Sequence, residues 1–474
     1  MHYISVSVLN MASTNIYKAL IIGGGAAGLS AINKLHKNGV KNCLLLEAQA
    51  TLGGRISTIL RGDHFLEHGA QWIHGEDGNV VYSFAKENNL LDEERNLKQT
   101  GVGDTVFIKE DSSIVDEDVV RIFQMQMANL REEGERNFEG NKDSVGNYYT
   151  QKFREENELG EIGNELLDWY GRFQCCMDGT DTWFEASCVG SAAYEECPGN
   201  QVINLSEGFK SLVTHFQNNL PEELIRLNSP VKKIRWKNLE NSEVPSLVEL
   251  ELISGEVFKG EHVIITSSLA VLKDCHEVLF EPQLPLRKVN AINGLGIDVV
   301  DKIFIEFPHI WWGDRDGFSF LRDNPQNEVN ETNWEKGILG FYEVYNQSQI
   351  LCAWLTGKAA KEMEKASEEE VKDRCMALLR QYLGSHYDIP DPVWWDRTRW
   401  FSNPYIKGSY SFRSVLSEEL DVTAEDLAYP LCNDQDIPVV CFGGEATHEK
   451  YYSTVHGAVE TGWREADRII ALRR

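Results

Sequence analysis

What the sequence lacks narrows the field first. No apolar run approaches the roughly 20 residues a helix needs to cross a bilayer, and the start "MHYISVSVLN" has neither a basic n-region nor a long h-region. Neither membrane anchoring nor secretion is expected. The ten cysteines show no metal-ligand spacing, and the adjacent Cys175 and Cys176 cannot easily bridge to each other. Reduced thiols are expected, with no metal site and no disulfide framework. No lipidation signal is present, and the C-terminal "IIALRR" carries no peroxisomal or retention address, so the cytoplasm is the default compartment. Positive charge is scarce: 46 Lys plus Arg face 74 Asp plus Glu, a formal net charge of -28. That balance argues against nucleic acid as a partner. It serves solubility, and it also suits a cleft that attracts a cation. Internal repeats and low-complexity linkers are missing too.

What is there is an ordinary globular composition, 42% hydrophobic over 474 residues, enough for two domains. The strongest chemical signal is "YKALIIGGGAAGLSAINKLHKNGVKNCLLLEA", which reads strand, glycine turn, helix, strand and terminal acid. In this βαβ unit Gly23, Gly25 and Gly28 supply the GxGxxG spacing: a tight turn, close approach to a pyrophosphate, and close packing of helix on strand. Ala27 lies inside the same turn. Glu47 stands 19 residues after Gly28, where an acid accepts hydrogen bonds from a ribose, and Ala48 follows it. "LGGRIST" then brings Gly54 and Arg55 close behind that acid, an extension that resembles the flavoprotein version of the unit and favours FAD. Near the other end "VVCFGGEATHEKYYSTVHGAVETGWREADRII" again reads strand, glycine turn and helix, with Gly444 and Glu445 at the turn. The expectation is that the two ends meet around one cofactor site.

Five motifs in one order resemble the flavin-containing amine oxidases, specifically their polyamine oxidase branch of the spermine oxidase and N1-acetylpolyamine oxidase type. They are "IIGGGAAGLSA" with "LLEA" and "GGRI", "HGAQWIHG", "VDKIFIEF", "RWFSNPYIKGSYS" and "GEATHEKYYSTVHGA". The resemblance implies oxidation of a cationic polyamine by oxygen, giving an aldehyde, a shorter amine and hydrogen peroxide. It also implies noncovalent FAD, because the cysteine that carries the flavin in monoamine oxidases has no counterpart in "SNPYIKGSY". The coiled-coil insertion of the histone demethylases has no room here. An L-amino-acid oxidase needs an arginine aimed at the substrate carboxylate, which the sequence does not assign. Two alternatives stay open, a flavin oxidase of another amine or L-amino acid and a catalytically silent FAD-binding protein. Monomer or homodimer is open too.

The resemblance also assigns residues. His74 takes the position of the polyamine oxidase histidine that recognises the substrate amine; a neutral imidazole accepts a hydrogen bond and titrates near pH 6.5. Gly69, Ala70, Gln71 and Trp72 keep the chain near the flavin ring, while His68 is expected to make a packing or backbone contact. Lys302 aligns with the lysine that holds a water near the flavin, and burial would lower its pKa and suit it to carry a proton. Tyr410 matches one aromatic wall of the reacting face. The opposite wall falls at Thr454, a small hydroxyl residue as in spermine oxidases, followed by Val455. Trp400 contacts the ring system and Val231 contacts adenine through its backbone. Among Glu185, Glu195 and Glu196, Glu195 is expected to receive a distal ammonium.

The expected architecture is α/β: a discontinuous Rossmann-type FAD-binding domain over 15–85, 200–290 and 430–474, plus an α+β substrate domain over 86–199 and 291–429. The latter carries a mixed sheet flanked by helices. "SLVELELISGEVFKGEHVIIT" reads as a hairpin turning at Ser254 and Gly255, and "DVVRIFQMQMANLREEGERNFEG" as an amphipathic helix. "EKASEEEVKDRCMALLRQYL" is expected to form one further helix.

Overall fold

A computed structural model describes residues 16–472 apart from 63, 94–95, 97–104, 238–246, 324–328 and 345–348. The apolar runs flagged in the sequence become the centre of a nine-stranded sheet. Ile16–Ile22 lies in the middle, parallel to Cys43–Leu46 on one side and to Val257–Ile265 on the other. At nine residues, Val257–Ile265 is long enough to serve two partners on its far edge. Val248–Leu252 pairs antiparallel with its start, and Pro438–Phe442 pairs parallel with its end. The first pair is the expected hairpin, turning through Gly255 at φ +87°.

The register sets up the site. Ile22 pairs with Ile265, which also pairs with Phe442. The residues that follow these three strands therefore emerge together at one carboxyl edge, the place where open α/β sheets bind ligands. Both faces of the central strand are covered: Ala19 and Ile21 pack with Leu29, Ile32, Val459 and Ile469, while Leu20 packs with Leu44, Val263 and Phe442. Such near-continuous apolar runs are what a strand buried on both faces requires. The first helix, Ala26–Lys37, lies against the last, Val455–Ala471. Contact is close enough that a Cβ at Gly462 would sit 2.2 Å from the Ala27 carbonyl oxygen. The two ends of the described chain meet as expected.

A second sheet of six strands runs Trp394–Arg397, Val300–Glu306, Ile350–Thr356, Gly340–Glu343, Gly317–Phe320 and Thr105–Ile108. It is mixed, because Thr105–Ile108 runs parallel to its neighbour and the other pairs are antiparallel. The alternation in "DKIFIEF" sorts its side chains: Ile303, Ile305 and Phe307 enter the core under the helices, and Phe304 joins a smaller cluster with Leu66 and Cys352 on the other face. Lys302 shares that second face. The region expected to be one helix around 364–383 is two, Gly357–Lys365 and Glu368–Leu383. Ser367 breaks the run by capping the second, its Oγ accepting from Glu370 N at 3.2 Å. Helices Glu117–Asn137, Val145–Glu156 and Glu161–Asp178 pack together through Phe123, Phe153 and Leu166. No helix among the described residues is long and apolar enough to cross a membrane, and no metal-binding cluster occurs among them.

Candidate functional site

A cavity of about 2030 Å³ opens at the carboxyl edge and runs between the two sheets to the helices around Tyr149 and Tyr170. Ligand pockets usually measure about 300–1,000 Å³, so this one has room for a dinucleotide and a second ligand. Of the site residues singled out in the sequence, all but Gly28, Glu185 and Glu195 line it.

The glycine turn shows why its residues are glycine. Gly23 adopts φ +105°, and a Cβ at Gly28 would stand 1.9 Å from the Gly23 carbonyl oxygen, so only glycine lets the helix approach. Gly28 thus builds the turn from behind. Gly25 caps the helix with no side chain over its open N–H groups, and the first turn holds no acid, an arrangement that receives an anion. Around the turn, Gly24 N donates to Glu47 Oε2 at 2.6 Å and Gln49 N to Glu47 Oε1 at 2.8 Å. Burial pushes the Glu47 pKa up against these bonds. Ala48, Gly54 at φ +59° and Val231 continue the wall, and Gly444, at φ +113°, faces open space. A glycine-walled cradle beside a bare helix N-terminus fits a pyrophosphate-containing cofactor.

Arg55 ties the two ends of the chain together. It donates to Glu445 Oε1 at 2.7 Å and to the Ser409 carbonyl at 2.9 Å. Glu445 is fully enclosed, and its other oxygen accepts from Ser411 Oγ at 2.6 Å and Ser453 N at 2.8 Å. Burial pushes its pKa up, but Arg55 and these donors outweigh burial and hold the carboxyl below its ordinary value. The strand after Arg55 is pressed close: a Cβ on Gly69 would meet the Arg55 carbonyl oxygen at 1.8 Å and Trp400 at 3.4 Å. Ala70 N donates to that same carbonyl at 3.2 Å. His68 stacks on Phe304 and its backbone N donates to the Ser57 carbonyl at 2.8 Å, the packing and backbone contacts expected of it, and its Nε2 stands 3.0 Å from Asp396.

Lys302 sits beneath this segment. Its Nζ donates to the carbonyls of Glu67 at 2.8 Å and Gly69 at 3.1 Å and to Gln71 Oε1 at 2.9 Å. It also lies 4.6 Å from the Trp354 ring, which stacks on Trp72. Burial pushes its pKa down to about 8, while three acceptors and a π face compensate the ammonium. Protein atoms take all three N–H bonds of the charged form. Loss of a proton frees a lone pair, and only then does Nζ accept a bond. His74 Nδ1 is 2.7 Å from the Gln201 carbonyl oxygen. A carbonyl cannot donate, so Nδ1 carries the hydrogen and Nε2 is the acceptor of the neutral ring. Burial lowers the pKa of this ring, which keeps it neutral at pH 7.

Tyr410 is held by its hydroxyl, which donates to the Cys176 carbonyl. Its ring packs so tightly on Gly179, at φ +73°, that a Cβ there would stand 2.6 Å away. Thr454 lines the cavity beside Val455, but its hydroxyl is occupied: Oγ1 donates to the Tyr451 carbonyl at 2.7 Å and caps the last helix by accepting from Gly457 N at 3.0 Å. Glu195 is a correction. Its carboxylate turns outward to Lys450, 2.6 Å away, and the next residue, Glu196, takes the lining position. Glu185 lies off the cavity as well. Trp354, Gln174 and Asp178 line it without having been anticipated. Trp354 follows from register alone, being paired with Lys302.

Comparison with known proteins agrees with this geometry. Residues 26–470 match the model of the family described as flavin containing amine oxidoreductase. The chain is 32% identical to the peroxisomal N(1)-acetyl-spermine/spermidine oxidase of Bos taurus, over 96% of this chain and 95% of that protein. It is 29% identical to probable polyamine oxidase 5 of Arabidopsis thaliana, over 96% and 98%. Among solved structures, wild-type putrescine oxidase bound to putrescine superposes with a TM-score of 0.71 at 18% identity, covering 96% of this chain and 99% of that one. This last likeness speaks to the fold. The chain belongs to the flavin-containing amine oxidoreductases.

Proposed function

We propose that the chain is an FAD-dependent polyamine oxidase. It oxidises spermine or an N1-acetylated polyamine with oxygen and water to an aldehyde, a shorter amine and hydrogen peroxide. The observation that carries this reading is the convergence of Lys302, His74 and Tyr410 on one cavity that also holds the dinucleotide cradle. The polyamine oxidases among its relatives support the substrate class. The glycine turn, Glu47 and the Arg55–Glu445 pair would hold FAD noncovalently, and FAD when bound supplies the acceptor for two electrons.

The chain's own residues then position and protect. His74 Nε2 accepts a hydrogen bond from the reacting amine and orients its α-carbon. Tyr410, locked at both ring and hydroxyl, presents a fixed aromatic wall that excludes water. Lys302 moves a proton at Nζ. Each arginine lining the cavity is engaged: Arg55 with Glu445, Arg131 with Glu135 and Glu196, and Arg413 with the His448 carbonyl. Among the described residues no lining arginine stands without a partner, which favours an amine over an amino acid.

The same reading divides the chain into the FAD-binding and substrate domains expected from the sequence, a division supported by the three chain segments that build the nine-stranded sheet. All ten cysteines are free thiols, which supports the cytoplasm as its surroundings. Peroxide release with spermine, N1-acetylspermine, spermidine, a monoamine and an L-amino acid, with mass spectrometry of the products, tests the proposal. Peroxide from a polyamine with a shortened amine is expected; peroxide from the amino acid alone contradicts it.

A further inference from the structure

Beyond Tyr410 the cavity runs into a chamber walled by rings. Tyr149, Tyr170 and Phe173 come from helices Val145–Glu156 and Glu161–Asp178, and Tyr452 from the segment before the last helix. One carboxylate stands among them. Asp178 is the final residue of its helix and lines the cavity. Its charge reaches Tyr149, Tyr170, Tyr410 and Tyr452. Both of its oxygens take their hydrogen bonds from one group, Gln174 Nε2, at 3.0 and 2.9 Å. A carboxylate offers about four acceptor sites, and Gln174 takes two of them.

No lysine, arginine or histidine among the described residues forms an ion pair with Asp178. The nearby Arg131, whose charge reaches Tyr149 and Tyr170, is paired with Glu135 and Glu196. A desolvated carboxylate at a helix C-terminus is in an unfavourable place for an anion. Burial pushes its pKa up to about 6 despite the Gln174 bond. A cation entering the chamber would remove that penalty, and the surrounding rings would add their π faces.

We infer that Asp178, oriented by Gln174 and ringed by Tyr149, Tyr170 and Tyr452, is the subsite for a protonated nitrogen of the substrate. It thereby selects chains that carry a second, charged amine beyond the reacting one. This rests on the oxidase reading above. The placement is tied to the reacting region through Tyr410, whose hydroxyl is held by Cys176, two residues before Asp178. A monoamine leaves Asp178 uncompensated, so the subsite discriminates against it as well as for a polyamine.

The test uses the FAD-loaded enzyme. Calorimetric binding of 1,8-diaminooctane and kcat/KM for spermine are measured for wild type, Asp178→Asn and Asp178→Glu, with the flavin spectrum reporting intact folding. Asp178→Asn is expected to weaken both about 30-fold or more at pH 7.5, as removing one side of a desolvated charge pair does. Asp178→Glu is expected to restore most of that loss. Wild-type affinity for the diamine should fall as pH drops through about 6, where Asp178 gains a proton, and the asparagine variant should lack that dependence. The wild-type pH dependence stands as evidence even if a variant misfolds. Equal losses in both variants, an unchanged asparagine variant, or a pH dependence retained without the carboxylate would overturn the inference. If wild type is reduced by polyamines yet binds the diamine independently of residue 178, the inference fails alone. If no amine reduces it, the oxidase reading falls first and this one with it.

Discussion

Replacing Lys302 with methionine keeps the length of the side chain and removes the proton. The catalytic effect and the stability effect then separate. A pKa of about 8 against an ordinary 10.5 corresponds to a ceiling of about 3 kcal/mol, at 1.36 kcal/mol per pKa step. The three acceptors around Nζ offset part of it. The folded-state pKa is the lower one, so between pH 8 and 10.5 the unfolded chain binds more protons. The wild-type protein therefore gains stability as pH rises through that window, and below it bears the cost of the charged form in full. Lys302→Met abolishes this slope. At pH 7 it gains the relieved desolvation but strands the acceptors of Glu67, Gly69 and Gln71, each worth about 1 kcal/mol or more, so its net stability changes little. Activity should fall about 10²- to 10⁴-fold, the usual weight of a positioned proton carrier. The limb of the kcat/KM profile near pH 8 should vanish. Urea unfolding at pH 7.5 and 9.5, together with kcat/KM from pH 6 to 10, reads both effects. Less than a tenfold loss of activity, or a limb near pH 8 that survives in the variant, would refute a proton-carrying role.

Other consequences are equally direct. Gly28→Ala forces a Cβ to 1.9 Å from the Gly23 carbonyl, so purified protein should contain little flavin and melt lower, by overpacking worth about 1–3 kcal/mol; full flavin occupancy would contradict the packing argument. Glu445→Gln leaves Arg55 without its anion at the junction of the two chain ends, and flavin affinity should drop at least about tenfold by fluorescence titration. His74→Ala should reduce kcat/KM for polyamines about 10- to 100-fold through the lost acceptor, while the flavin spectrum remains that of wild type. Acid precipitation should release the flavin into the supernatant, as the proposed noncovalent binding requires.

How much of this was legible depended on how local the signal was. The glycine turn, Glu47 and the strands beside them lie within one short stretch, and steric limits on glycine speak directly through spacing. The alternation of "DKIFIEF" placed Lys302 opposite Ile303. Its actual partners, Glu67, Gly69 and Gln71, lie more than 230 residues upstream, and no periodicity encodes such a contact. Glu195 and Glu196 lie in an irregular loop, where neither the helical nor the strand period says which neighbour faces inward; Lys450 drew the first outward. At Thr454 a small hydroxyl was visible in the sequence, but its use as a helix cap depended on where the last helix begins. Asp178 was hidden because an acid at a helix end reads as solvated until the rings around it are assembled from several separate elements. The long acidic stretch around Ser367 misled for a related reason: its amphipathic spacing continued across a residue whose side chain prefers to start a helix rather than continue one.

The central claim is that an amine substrate reduces a flavin held in this cavity. Anaerobic stopped-flow absorbance near 450 nm, the oxidised-flavin band, measures that step without oxygen or coupled reactions. Spermine, N1-acetylspermine, spermidine and a monoamine are offered in turn to the FAD-loaded protein. Rapid bleaching by at least one polyamine, and slow or no bleaching by the monoamine, is the predicted result. A flavin that stays oxidised with all four would contradict the account.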